Sequence, residues 1–225
     1  MREHDPIKYK QMVKSYQEKD EPTAWFENIY KEAQGDYKAV FWADLEPSPY
    51  LIDWLEKHPN KLKKENKKAI VVGCGVGDDC EALSEYGYEV LGFDISQSAI
   101  DLCKSRYPNS KVTYIAADLF DYPKEWFQNF DVVYECNTIQ VLPGNYRIQA
   151  RDAIASFVAP QGFALVSCRS RQKGQQEDDI PLPLDENEIN GFELCGLIKD
   201  SFLAYDDNQE PCVPHFFATF KREKR

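Results

Sequence analysis

The chain reads as an α/β protein: an open, doubly wound, mainly parallel sheet, with a helical N-terminal extension and antiparallel strand pairing at the C-terminal end. Three observations lead there. From Ala69 onward, apolar runs of strand length alternate with amphipathic stretches of helix length, the pattern of a parallel sheet covered on both faces. The first run breaks into a glycine turn, Gly73-Cys74-Gly75-Val76-Gly77. The next three runs each end on or beside an acid, Asp94, Asp118 and Glu135, and acids gathered at the carboxyl ends of neighbouring strands are what a ligand crevice on an open sheet requires.

Taken in order, residues 5–19 are polar with weak helical periodicity and form a leading helix. Pro22 stands near the start of a second helix, in which Trp25, Phe26, Ile29, Tyr30 and Ala33 have the three-and-four spacing of a buried stripe. A loop through Phe41, Trp42 and Pro47 leads to a third helix over residues 50–57 and then to a lysine-rich linker, residues 61–68. Strands follow at about 69–73, 88–93, 111–116, 130–135 and 161–168. Helices between them start near Asp78, Ser96 and Tyr146, with Ser96 as an N-cap. Residues 172–179 are polar, residues 180–184 proline-rich, and residues 185–195 helical; Phe202–Tyr205 and Phe216–Phe220 form a closing antiparallel pair. This length and apolar content suit one core, so residues 1–225 are expected to form one domain, with 1–64 as a helical lid and 65–225 as the α/β core.

The net charge of −11 argues against nucleic acid as the main substrate, because phosphate binding draws on clustered Lys and Arg. The basic runs at 61–68 and 221–225 read as a solvated linker and tail. Seven cysteines, an odd number without a C-x-x-C pair, indicate neither a disulfide framework nor a zinc site and fit a reducing cytoplasm. The first residues lack the apolar stretch of a secretory signal, and no run approaches the roughly 18 apolar residues of a membrane span. His4, His58 and His215 have no ligand spacing, and Asp78 and Asp79 are explained by the dipole of the helix they start, so no metal is expected.

The glycines narrow the ligand. Gly73-x-Gly75-x-Gly77 differs from the G-x-G-x-x-G that sets a helix N-terminus against a pyrophosphate, which favours a nucleoside without phosphates over a dinucleotide. Asp94, seventeen positions after Gly77, is placed to accept hydrogen bonds from both ribose hydroxyls.

With these residues in hand, the order from about 65 to 170 resembles class I S-adenosylmethionine-dependent methyltransferases. The resemblance implies S-adenosylmethionine as cofactor, a Rossmann-like methyltransferase fold, and transfer of a methyl group to a small-molecule acceptor. It places Gly73, Cys74, Gly75 and Gly77 against the amino-acid part of the cofactor, Asp94 with Ile95 at the ribose, and Asp118 with Leu119 beside adenine. One departure stands out: the family's acid two places before the first glycine is Val71 here. That apolar residue, the tryptophan-containing N-terminal segment and the stretch from Ile180 into Asp185-Glu-Asn-Glu188 are similar to the thiopurine S-methyltransferase-like group, whose members make a thiol the first expected acceptor.

Methyl transfer from a sulfonium is an in-line displacement that needs alignment, exclusion of water and, for some acceptors, a base. Trp42, with Trp25 second, is the expected aromatic lid over the sulfonium. The resemblance turns Tyr134, Glu135, Asn137, Thr138 and Gln140 toward the acceptor, and Glu135 is the expected base and a cofactor contact, since a carboxylate in a dry cleft has a raised pKa. Two other readings remain at this point: a non-catalytic nucleoside-binding protein of the same fold, and a nicotinamide-dependent oxidoreductase, which the glycine spacing disfavours.

Overall fold

The computed structural model describes residues 6–19, 21–58, 66–175, 181–207 and 210–224. The expected lysine linker, half of the polar segment at 172–179, and Ile180 at the head of the proline-rich stretch lie wholly or partly outside these residues.

Among the described residues, seven strands form one sheet: β1 (Lys68–Val72), β2 (Glu89–Asp94), β3 (Thr113–Ala116), β4 (Phe130–Cys136), β5 (Val158–Arg169), β6 (Ile198–Asp206) and β7 (Pro214–Lys221). Their spatial order is β3-β2-β1-β4-β5-β7-β6. The first five are parallel, while β7 runs antiparallel to both β5 and β6. The order reverses between β1 and β4, so the carboxyl ends of these two strands flank a topological switch point, where an open α/β sheet binds its ligand. The central strands are buried on both faces, which explains why β1 and β4 read as continuous apolar runs.

The helices are α1 (Pro6–Gln17), α2 (Trp25–Glu32), α3 (Pro49–Lys57), α4 (Asp78–Glu85), α5 (Gln97–Arg106), α6 (Asn145–Phe157) and α7 (Glu186–Asn190). On one face, α3, α4 and α5 bury Leu51, Trp54, Leu83 and Ile100 against Val71, Tyr134 and Leu165. On the other, α6 and α7 bury Ile154, Phe157 and Ile189 against Val72, Val133 and Val166. The expected stripe of α2 is realised: Trp25 is fully buried and stacks on Phe26 at 3.7 Å, and its indole donates to the Pro22 carbonyl at 2.8 Å. Removing so large a buried side chain costs about 3–5 kcal/mol.

Two expectations shift. β5 begins at Val158, in the residue after α6, and pairs first with Phe130 across an irregularity in register. The helix expected over 185–195 is α-helical only to Asn190 and tightens into a 3-10 turn from Gly191, where a Cβ would collide with the Arg151 side chain. No helix among the described residues is long and apolar enough to cross a membrane.

Candidate active site

The site starts from the glycine turn. Gly73, Gly75 and Gly77 have φ of +60°, +56° and +95°, the left-handed region that glycine enters without a Cβ penalty. A Cβ on Gly73 would stand 2.5 Å from Thr138 Oγ1, and one on Gly77 would stand 2.7 Å from the Tyr114 hydroxyl. The turn is therefore wedged between β4's loop and β3. Cys74 N donates to the Phe93 carbonyl at 2.9 Å, which brings the turn against the end of β2.

There Asp94 meets it. Its Oδ2 accepts from Gly75 N at 3.1 Å and its Oδ1 from Ser96 N at 2.9 Å. Each carboxylate oxygen has a second lone pair, so both can still accept a ribose hydroxyl. Burial pushes the Asp94 carboxyl up to about 6, against the opposing effect of these N–H donors. Ile95 is exposed beside it; Asp118 accepts from Phe120 N at 2.8 Å, and Leu119 is buried beneath that turn.

Trp42 comes to the site through Tyr30. The indole donates to the Tyr30 hydroxyl at 3.3 Å, and that hydroxyl lies 3.4 Å from where a Gly75 Cβ would be. Burial and the Asp94 charge push the Tyr30 phenol well above its ordinary value. Sequence reasoning placed Tyr30 only on a packing stripe; its position over the turn could be found only from the fold. Trp25 sits behind, edge-on to Trp42 at 6.1 Å, as a core residue of the N-terminal helical segment.

Glu135 is fully buried, with Oε1 accepting from Thr138 N at 2.6 Å and Ile139 N at 3.0 Å. It braces the loop after β4, while Oε2 is buried without a hydrogen-bond partner. Burial raises the carboxyl to about 7, and the two N–H donors oppose this. Of the other positions expected to meet the acceptor, Tyr134, within β4, and Gln140, after it, are buried: Tyr134 faces α3 and α4, and Gln140 Oε1 accepts from Arg169 N at 2.6 Å. Asn137, at φ +62°, is exposed. Behind this loop, Arg147 donates to the Leu142 carbonyl at 3.2 Å and to Glu188 at 2.6 Å, tying the loop to α7.

Asp79 is a further acid at this edge. Its Oδ1 accepts from Ser48 N at 2.8 Å, and burial raises it to about 6. Asp79, Asp94 and Glu135 have no basic partner among the described residues. A ligand bearing positive charge would favour their ionised forms. S-adenosylmethionine, with a sulfonium and an ammonium, fits that requirement as well as the bare glycine turn and the open lone pairs of Asp94.

Comparison with known proteins agrees. Residues 69–162 match the methyltransferase domain family. A ubiquinone biosynthesis O-methyltransferase of Proteus mirabilis is 25% identical over 166 residues, 68% of this chain and 66% of that protein. A cypemycin N-terminal methyltransferase of a Streptomyces species is 22% identical over 168 residues, 72% of this chain and 66% of that protein. The match spans between about half and two thirds of the length of such curated relatives. Among solved structures, the 1,6-didemethyltoxoflavin-N1-methyltransferase of Burkholderia thailandensis, with its substrate and S-adenosylhomocysteine bound, superposes with a TM-score of 0.68 at 13% identity, covering 100% of this chain and 93% of that one. The fold is that of S-adenosylmethionine-dependent methyltransferases, and the residues of the site fit that cofactor. Its cofactor is S-adenosylmethionine.

Proposed function

We propose that the protein transfers the methyl group of S-adenosylmethionine to a hydroxyl of a small aromatic molecule. The observation that carries the cofactor half is the clasp of Asp94 on Gly75 and Ser96, which sets a buried carboxylate beside a turn without side chains. In this reading Gly73, Cys74, Gly75 and Gly77 hold the amino-acid end, Asp94 and Ile95 the ribose, and Asp118 and Leu119 the adenine. Trp42 and Tyr30 face the sulfonium, whose charge aromatic rings attract. When bound, the cofactor supplies the activated methyl.

Glu135 is proposed as a brace and cofactor contact. Its full burial and the two N–H groups on Oε1 support that role over the base expected from the sequence. The oxygen acceptor is supported by the O-methyltransferase relatives. A thiol acceptor is the competing reading, carried by the Trp42 segment and the proline-rich stretch that ends at Leu184. An assay for S-adenosylhomocysteine release, run with catechols, small thiols and amines, separates these readings. Release with thiols alone would replace the hydroxyl reading, and binding of cofactor without release for any class would favour a non-catalytic protein of the same fold.

A further inference from the structure

A second set of side chains stands at the carboxyl edge of the sheet. Arg169 ends β5 and is in register with His215 of β7, which in turn is in register with Tyr205 of β6. The three form one cross-strand row on the face that carries α3, since Leu165 and Phe217 lie on that face at even spacing.

His215 Nδ1 lies 2.8 Å from the Val213 carbonyl oxygen. A carbonyl can only accept, so Nδ1 carries the proton and Nε2 presents a lone pair. Among the described residues Nε2 has no hydrogen-bond partner, and the Arg169 guanidinium has neither an acid nor a carbonyl to bind. In a chain with 38 acids against 27 Lys and Arg, an arginine without an acidic partner is open to an external anion. Flat rings flank the row: Tyr205 stacks on His215 at 5.3 Å and 15°, and Tyr50 lies 3.9 Å from Tyr205. Toward the cofactor side, the Arg169 charge acts on the Tyr9 phenol, and Tyr9 packs edge-on to Trp25 at 5.5 Å and Phe41 at 5.2 Å. The row thus begins beside the aromatic lid. Asp44, in the loop before α3, acts electrostatically on His215, and Asp207 of the β6–β7 turn acts on Asp44.

We propose that this row is the acceptor site, in which Arg169 pairs with a carboxylate of a planar hydroxyaromatic acceptor and His215 Nε2 takes the proton of its hydroxyl. This rests on the methyltransferase reading for the fate of the methyl group, but not for acceptor binding. The hydroxyl loses its proton to Nε2, its oxygen forms the new O–C bond, and the methyl's bond to sulfur breaks with the electron pair left on sulfur. The imidazolium then releases the proton to water. A neutral imidazole with its other nitrogen fixed by a carbonyl is suited to general-base work, which contributes roughly 10²–10⁴-fold.

The test uses 3,4-dihydroxybenzoate and catechol with the full chain. Calorimetry without cofactor is expected to show the benzoate binding at least about tenfold tighter than catechol, with Arg169→Gln erasing that preference and leaving catechol unchanged. In turnover, His215→Asn keeps an N–H for the Val213 carbonyl and removes the base. It is expected to lower kcat about 100-fold and to leave S-adenosylhomocysteine affinity intact. Equal binding of the two probes, or an Arg169→Gln variant that retains the preference, would overturn the anion site. An unchanged kcat in His215→Asn, or no methylation of the benzoate by a protein that binds S-adenosylhomocysteine, would overturn the base. Failure to bind S-adenosylhomocysteine would instead sink the methyltransferase reading, and the calorimetric comparison would still decide the anion site.

Discussion

The Ser96 hydroxyl donates to Glu27 at 2.6 Å, joining residues 69 positions apart. Ser96 is also the N-cap of α5, accepting from Ala99 N at 3.0 Å, and its own N–H binds Asp94. Glu27 accepts in addition from the Ser98 hydroxyl at 2.8 Å and from Ser98 N at 3.2 Å. One carboxylate on α2 thus holds the first turn of the helix that follows Asp94, and it lies where the α5 dipole favours negative charge.

Glu27→Gln should loosen the lid and lower thermal stability, by about 1 kcal/mol given its exposure to solvent. Burial raises the Glu27 carboxyl, but hydrogen bonds from Ser96 and Ser98 with the Lys31 contact outweigh it and bring it from 4.5 to about 2. A depressed carboxyl contributes stability that is present above its unfolded value and lost as pH falls. Melting curves of wild type and variant should therefore differ at pH 6 and converge as pH drops from 4.5 toward 2; a constant difference would dissociate Glu27 from the clasp.

Asp79→Asn should be neutral or stabilising at pH 8. The amide oxygen still accepts from Ser48 N, and the buried charge is gone. Asp79 is raised from 3.8 to about 6 by burial, so its folded form binds the proton more readily than its unfolded form. That contribution is fully present below 3.8 and lost as pH rises through 6, leaving the ionised acid unfavourable at neutral pH. A gain of roughly 1 kcal/mol at pH 8 that disappears below pH 4 is expected from chemical denaturation across pH; a large loss at every pH would show that the carboxylate itself is needed for folding.

Arg106→Lys tests the other tie between the N-terminal segment and the glycine turn. The guanidinium binds both Asp78 oxygens at 2.6 Å, reaches the Val76 carbonyl at 3.2 Å and the Leu45 carbonyl at 3.4 Å, and lies 4.6 Å over the Tyr37 ring. An ammonium cannot make this planar fork. A loss of about 1–2 kcal/mol in stability is expected, with weaker S-adenosylhomocysteine binding because the Val76 carbonyl belongs to the turn; wild-type values for both would show the contacts to be incidental.

Gly73→Ala should abolish cofactor binding before it abolishes folding. The variant needs a side chain at φ +60° and a shift of Thr138, whose hydroxyl is bonded to the Val72 carbonyl at 3.2 Å. About 1–3 kcal/mol of destabilisation is expected, with the Thr138 shift read out as a loss of S-adenosylhomocysteine affinity of at least about tenfold. Retained affinity would place the ligand away from this turn.

What was legible in the sequence was what is local. The five parallel strands, the glycine turn, Asp94 at the tip of β2 and Ser96 as N-cap are each written within a few neighbouring residues, and the structure has them within three residues of the expected positions. Tyr30, Glu27, Arg106 and His215 were not legible, because each acts on a segment brought to it by the fold. Tyr30 belongs to a packing stripe by spacing, yet its hydroxyl stands over Gly75, 45 residues away. His215 has no metal-ligand spacing; its relation to Arg169 exists only because β7 turns back antiparallel on β5. Glu135 was legible as a buried acid at the end of β4, but its two bonds to the following loop depend on how that loop folds back over the strand.

The most direct measurement is titration calorimetry with S-adenosylhomocysteine for wild type and Asp94→Asn, at pH 7.5 and pH 5, with NADH as control. Wild type should bind S-adenosylhomocysteine with about micromolar affinity and not NADH. Asp94→Asn should lose roughly 1.5–3 kcal/mol, and wild-type affinity should fall at pH 5, because burial places the Asp94 carboxyl near 6. An S-adenosylhomocysteine affinity indifferent to both pH and Asp94, or no binding at all, would contradict the site.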